Sequence, residues 1–146
     1  MSTEEPPAVE LEVSYGGVAV RAAPDPEVVV IRPTGKRVIG LPKGGANDGE
    51  SGAEAAVREV REETGVIVEV REPLGEVKYW YRRGGKRVFK TVHFFLCDYV
   101  SGSTADHDHE VEDARWIPLA EARTSLSYPG ERALIERALS NTTPGR

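Results

Sequence analysis

Apolar residues occur first in short extended runs and only later at helical spacing. Val13 to Val20 carries a strand-like pattern interrupted by Gly16 and Gly17, which predicts a strand, a turn and a second strand. Glu27 to Arg32 is a β-branched run typical of a buried strand, and Pro33 to Gly35 closes it with a turn. Extended structure is predicted again over Val38 to Leu41, then a glycine-rich loop from Pro42 to Glu50. The period then changes. Ala53, Ala56, Val57 and Val60 recur at helical spacing behind Ser51, with Glu54 three residues on, a capping box. Gly65 stands where such a helix ends.

Val66 to Val70 reads as a strand, punctuated afterwards by Pro73 and Gly75. Glu76 to Tyr81 and Arg87 to Tyr99 flank Gly84 and Gly85 as the arms of a hairpin. Ser101 to His109 is a polar loop, Asp113 to Pro118 a short strand around Trp116, and a short helix opens over Pro118 to Ala122. Pro129 to Leu139 is an amphipathic helix that turns Leu134, Ile135, Ala138 and Leu139 toward a core. Residues 1–10 read as a disordered tail, 11–140 as one domain and 141–146 as a second tail. Hairpin-linked strands and two substantial helices favour a mixed sheet covered by helices over a doubly wound parallel sheet.

Composition narrows the partners. The 146 residues carry a formal net charge of -5, with 39% hydrophobic and 29% charged residues, ordinary for a globular domain. An acidic chain makes a poor nucleic-acid scaffold, although a local basic cluster or bound metal can still attract a small anion. No apolar run approaches membrane-spanning length and the N-terminus lacks a signal-peptide pattern, so neither membrane nor nucleic acid is expected as a partner. The one cysteine, Cys97, follows Phe94, Phe95 and Leu96 and reads as a core residue, consistent with a cytoplasmic protein.

Candidate chemistry gathers on the first helix. Glu59, Glu62 and Glu63 fall within an arc of roughly 100° of its surface, away from the small apolar stripe. Like charges at these spacings repel, and the helix C-terminus disfavours anions. A divalent cation would supply compensation; a solvated acidic face paired with Arg58 and Arg61 is the plainer reading. The preceding loop tips the balance, because Gly44 and Gly45 admit close backbone approach and Lys43 can meet a phosphate.

Gly44, Glu50, Arg58-Glu59-Val60, Glu62-Glu63 and Gly65-Val66 match G-x5-E-x7-R-E-U-x-E-E-x-G-U, where U is aliphatic, at all nine specified positions across 23 residues. This resembles the Nudix box. The resemblance implies an α/β/α sandwich with a mixed sheet, and hydrolysis of a nucleoside diphosphate linked to another moiety, with Mg²⁺ or substituting Mn²⁺. It casts Glu59, Glu62 and Glu63 as principal metal ligands or base, Glu50 as an auxiliary acid, Arg58 as their organiser and the Lys43 carbonyl as a further ligand. The general base is expected to be Glu59 first, Glu110 second.

A second similarity runs over roughly residues 26 to 139. Tyr79 to Tyr81, Arg87 to Phe95, Glu110 to Trp116 and Tyr128 to Gly130, with Leu41 to Gly44, resemble bacterial diadenosine-polyphosphate hydrolases of that family. Tyr79 and Tyr81 could then stack on adenine, and Lys78, Lys86 and Lys90 meet distal phosphates, beside Lys43 of the glycine-rich loop; ordinary strand packing explains the aromatics equally well. His107 and His109 are loop residues with no paired base in sequence, and His93 reads as a core or cleft histidine. The alternatives are a damaged nucleoside triphosphate, ADP-ribose or a diphosphoinositol polyphosphate as substrate, and, remotely, a non-catalytic nucleotide sensor. The resemblance also admits a homodimer.

Overall fold

The computed structural model describes residues 9–22 and 24–142. Along the chain come β1 (Val9–Arg21), β2 (Glu27–Pro33), β3 (Lys43–Gly44), α1 (Gly52–Thr64), β4 (Val66–Arg83), β5 (Lys86–Gly102), a 3-10 turn (Thr104–Asp106), β6 (Val111–Pro118), α2 (Leu119–Ser125) and α3 (Pro129–Thr142). They form one mixed sheet in the order β4-β5-β1-β2-β6, with β3 paired to β1 beside that path. β1 and β5 run parallel; every other pairing is antiparallel.

Strand alternation divides the core between the two sheet faces. On one face Val18, Val20, Val28, Val30, Phe94 and Leu96 pack against Leu119 of α2 and Leu134, Ile135 and Ala138 of α3. On the other, Ala19, Val29, Val68 and Cys97 pack against Val60 of α1. Helices on both faces make the expected α/β/α sandwich. The buried stripe of α1 is Ala55, Ala56, Val60 and Thr64. Ala53 is only half-buried, so the stripe is rotated from the sequence expectation.

Gly16 and Gly17 lie inside one uninterrupted strand and do not form a turn. A Cβ on Gly16 would run into the Pro42 carbonyl, and one on Gly17 would come within 2.8 Å of Val60 Cγ2. These glycines admit the β3 loop on one face and α1 on the other. β1 also reaches back to Val9, so Val9 and Glu10 are strand and not tail; residues 1–8 lie outside the described part. Val38 to Leu41 contributes a single bridge, Gly40 to Ile31, in place of a strand. Pro73 and Gly75 do not divide β4, which absorbs them as register shifts along an edge of the sheet. The hairpin turn is where it was expected, with φ of 57° at Gly84 and 80° at Gly85, the sign a two-residue type I′ turn needs.

Candidate active site

The site is assembled from the two ends of α1 and the loops that touch them. At the start, Ser51 accepts from the Glu54 amide at 3.1 Å, and Glu54 accepts from the Ser51 amide at 2.8 Å. At the end, Gly65 adopts φ 79°, and its amide donates to the Arg61 carbonyl at 2.8 Å. A Cβ at Gly65 would also strike the Ser103 carbonyl. The same helix end receives the loop after β5, through the Asp108 amide donating to the Glu62 carbonyl at 2.9 Å.

Between these ends Arg58 acts as a hub. Its Nε donates to Glu50 Oε2 at 2.8 Å and a terminal nitrogen to Glu50 Oε1 at 3.0 Å, a bidentate pair. That terminal nitrogen also reaches the Gly45 carbonyl at 2.7 Å. The other terminal nitrogen holds both Glu62 oxygens at 3.1 Å and lies 3.4 Å from Glu59. Its bonds to Glu50 lead in raising the Arg58 pKa, while Arg58 draws the Glu50 carboxyl below its ordinary range. One guanidinium therefore secures the glycine-rich loop to the helix.

Glu59 and Glu63 stand apart from Glu50 and Glu62 because neither is fully neutralised. Gly44 lies so close to the Glu59 carboxylate that any Cβ there would overlap it, so this glycine makes room for the acid. Glu63 Oε1 accepts from the Lys43 amide at 2.9 Å. Burial pushes Glu63 up to about 7, against the pull of that amide, and the charges of Glu59 and Asp108 add to the rise. Glu59 is raised chiefly by burial, against the Arg58 charge, with Glu62 and Glu110 contributing. These half-buried, hard oxygen donors lack sufficient positive charge, and the Lys43–Gly44 backbone lies against them; this set fits a hard divalent cation. Among the described residues, no three acids, histidines or cysteines already stand grouped as ligands. Arg58 accounts for part of this, since it claims Glu50 and Glu62. An open groove beside the helix is lined by Arg58, Glu62, Asp106 and Asp108.

The remaining expected residues divide between the sheet faces. Tyr79 pairs in register with Lys90, and Tyr81 with Val88, on the α3 side. Lys78 pairs with Thr91 and faces the other way, 3.1 Å from Glu76, so it does not join Tyr79, Tyr81 and Lys90. Lys90 is already engaged, 3.0 Å from Glu12, and the Tyr81 hydroxyl donates to the same carboxylate at 2.9 Å. Lys43 lies on the α3 side, where burial leads in lowering its ammonium pKa, helped by the Lys90 charge and opposed by Glu63 and Glu131. Tyr79 and Tyr81 are tilted by 39° at 6.1 Å, and Tyr79 keeps an exposed ring. His93 stacks on Tyr15 at 5.6 Å on the α1 side, and His107 Nδ1 meets the Asp108 carbonyl at 2.8 Å.

Three acids were missed in sequence. Glu131 on α3 is buried, accepts from the Leu41 amide at 3.0 Å, and is pushed up to about 7 chiefly by burial. Glu12 is held down at about 2, with its hydrogen bond from Lys90 the leading cause. Asp108 caps the loop before Glu110, whose amide donates to it at 3.1 Å. Only the Tyr128-Pro129-Gly130 turn hinted at Glu131; Glu12 and Asp108 carried no local signal.

Comparison with known proteins follows the same outline. The family model for the NUDIX domain matches residues 13–138. A relative from Mycobacterium tuberculosis named "Putative mutator protein MutT4" is 41% identical over 104 residues, covering 71% of this chain and 42% of its own length. An 8-oxo-(d)GTP phosphatase of Mycolicibacterium smegmatis is 35% identical over 97 residues, 66% of this chain and 29% of its own. The chain thus spans less than half the length of these two relatives. In fold, it resembles the Ap4A hydrolase of C. elegans with TM-score 0.65 at 20% identity, covering 91% of this chain and 99% of that one.

Proposed function

The chain belongs to the Nudix family, and on that premise we propose that it hydrolyses a phosphoanhydride bond in a nucleoside diphosphate derivative. The observation that carries this reading is the pair Glu59 and Glu63, pressed against the Lys43–Gly44 backbone with raised pKa values. Glu59, Glu63 and the Lys43 carbonyl would hold a divalent cation, with Glu50 and Glu62 available on release from Arg58. When bound, Mg²⁺ or Mn²⁺ supplies charge neutralisation for the polyphosphate and a lowered pKa for water.

The chain's own groups do the rest. Glu59, half-buried and pressed against Gly44, is the first choice to take a proton from the attacking water when it is not itself ligating the cation. Glu110, close enough for its charge to be felt at Glu59, is the second choice for that role. Lys43 offers an ammonium on the α3 side of the sheet for the phosphate chain. Arg58 keeps the loop and the helix carboxylates in register.

The preferred substrate is a nucleoside triphosphate with a damaged base. The name of the Mycolicibacterium smegmatis relative supports it, as does the distribution of cations. A dinucleoside polyphosphate would call on Lys78 and Lys90 together, yet Lys78 faces the other side of the sheet and Lys90 is held by Glu12. The exposed Tyr79 ring keeps diadenosine polyphosphate as the second reading. A cytoplasmic location goes with either substrate.

The test is a panel with Mg²⁺: 8-oxo-dGTP, dGTP, diadenosine tetraphosphate, ADP-ribose, a diphosphoinositol phosphate and a 5′-triphosphorylated RNA. The damaged triphosphate is expected to have the highest kcat/KM. Preference for diadenosine tetraphosphate would reinstate the second reading, and RNA as best substrate would overturn the expectation that nucleic acid is no partner. Glu59→Gln should lower kcat by about 10²-fold or more while KM changes little. Absence of metal-dependent hydrolysis across the panel would favour the sensor.

A further inference from the structure

The first half of β1 is an open edge. β5 pairs along one side of it from Val9 to Val20. On the other side β3 meets only Tyr15 and Gly16, and β2 only Val20 and Arg21. Among the described residues, Val9 to Ser14 therefore has no partner strand on its outer side. Such an edge is a template for another strand, and proteins usually blunt it with lysine, proline or a bulge. Val9 to Ser14 has none of these, and its only charged residues are Glu10 and Glu12. It instead exposes Val9, Leu11 and Val13 on the α1 side, with Leu11 76% exposed.

The segment Val9-Glu10-Leu11-Glu12-Val13 reads the same in both directions. Antiparallel pairing centred on Leu11 would place Leu11 opposite its copy, Val9 opposite Val13 and Glu10 opposite Glu12. Acid facing acid would ordinarily oppose this. Here both acids are already paired on the α3 side, Glu10 with Arg83 at 2.7 Å and Glu12 with Arg83 at 2.9 Å and Lys90 at 3.0 Å. Two anions and two cations per edge leave it neutral. On the α1 side, Leu11, Phe89 and Trp80 stand in register across β1, β5 and β4. A two-fold copy would continue that apolar row through Leu11 of the second chain.

We propose that two copies of this chain associate through antiparallel pairing of the Val9–Ser14 edge of β1, with the two-fold axis at Leu11. The partner is a second copy and not a foreign peptide, because the edge is self-complementary in side-chain type and already neutral. Nothing here depends on the hydrolase reading.

Sedimentation equilibrium of the 146-residue chain should give twice the chain mass at high micromolar concentration, and Leu11→Lys should give the single mass. Because Leu11 is exposed, the variant's thermal melt should match that of the wild type diluted to the monomer. Variants with one added cysteine fix the register, as the native Cys97 is buried. Opposed residues of an antiparallel pair lie about 4.5–5.5 Å apart at Cα, within disulfide range. Leu11→Cys should therefore oxidise to a covalent dimer. Val13→Cys should not, since four residues of offset separate it from its copy by roughly 13 Å. A wild type monomeric at every concentration would leave the edge to a foreign strand and overturn the proposal. So would a Leu11→Lys variant that stays dimeric, or a Val13→Cys variant that cross-links as readily as Leu11→Cys.

Discussion

Glu63 sits where burial and two neighbouring acids oppose ionisation, so its proton is held up to a pH of about 7. The usual carboxyl value near 4.5 applies in the unfolded chain. Between these values the folded state binds more proton than the unfolded one, so stability falls as pH rises through the window. Metal-free protein should therefore melt at a lower temperature at pH 8 than at pH 5, and Glu63→Gln should flatten that slope. Adding Mg²⁺ should raise the melting temperature chiefly above pH 7, because a carboxylate must lose its proton to ligate. A metal effect of equal size at pH 5 would contradict the assignment of Glu63. The shared helix face of Glu59, Glu62 and Glu63 was legible in sequence from their spacing. Their different fates were not legible. Arg58 neutralises Glu62 and Glu50, while the Lys43–Gly44 backbone confines Glu59 and Glu63, and that division depends on a loop folding back over the helix.

At the scale of elements, both ends of α1 were readable because caps are local. Ser51→Ala should cost about 1 kcal/mol in denaturant unfolding, with far-UV circular dichroism retained. β1 shows the opposite case. Two adjacent glycines in a strand pattern signal a turn by local rules, yet here they mark close packing on both faces. Gly17→Val should destabilise by about 1–3 kcal/mol through overpacking against Val60, visible as a lower urea midpoint. A neutral result would mean that α1 can shift freely from the sheet. β4 was likewise misread as broken at Pro73 and Gly75, because an edge strand tolerates proline that a central strand would not.

Across the whole molecule, Glu131 links α3 to the loop that carries Lys43. Its carboxylate accepts from the Leu41 amide, and it too is held protonated up to about 7. Glu131→Gln keeps an acceptor for that amide and removes the titration, so it should flatten the loss of stability from pH 5 to 8. Glu131→Ala should destabilise at both pH values, by about 1–3 kcal/mol for an amide left unsatisfied. Equal pH slopes in wild type and Glu131→Gln would count against the raised value. By itself the sequence determined what rests on near neighbours: a mixed sheet covered by helices, the capped helix, the hairpin turn and the acids of the box. Hydrophobic period, capping and φ preferences act over a few residues and leave a local trace. The tertiary structure alone decided which side of the sheet each strand residue faces, and so why Lys78 leaves Lys90. It also decided which cations are already spent on Glu12 and which buried acid on α3 steadies the loop. Those outcomes depend on strand pairings and ion pairs between residues far apart in the chain, and only the folded chain brings them together.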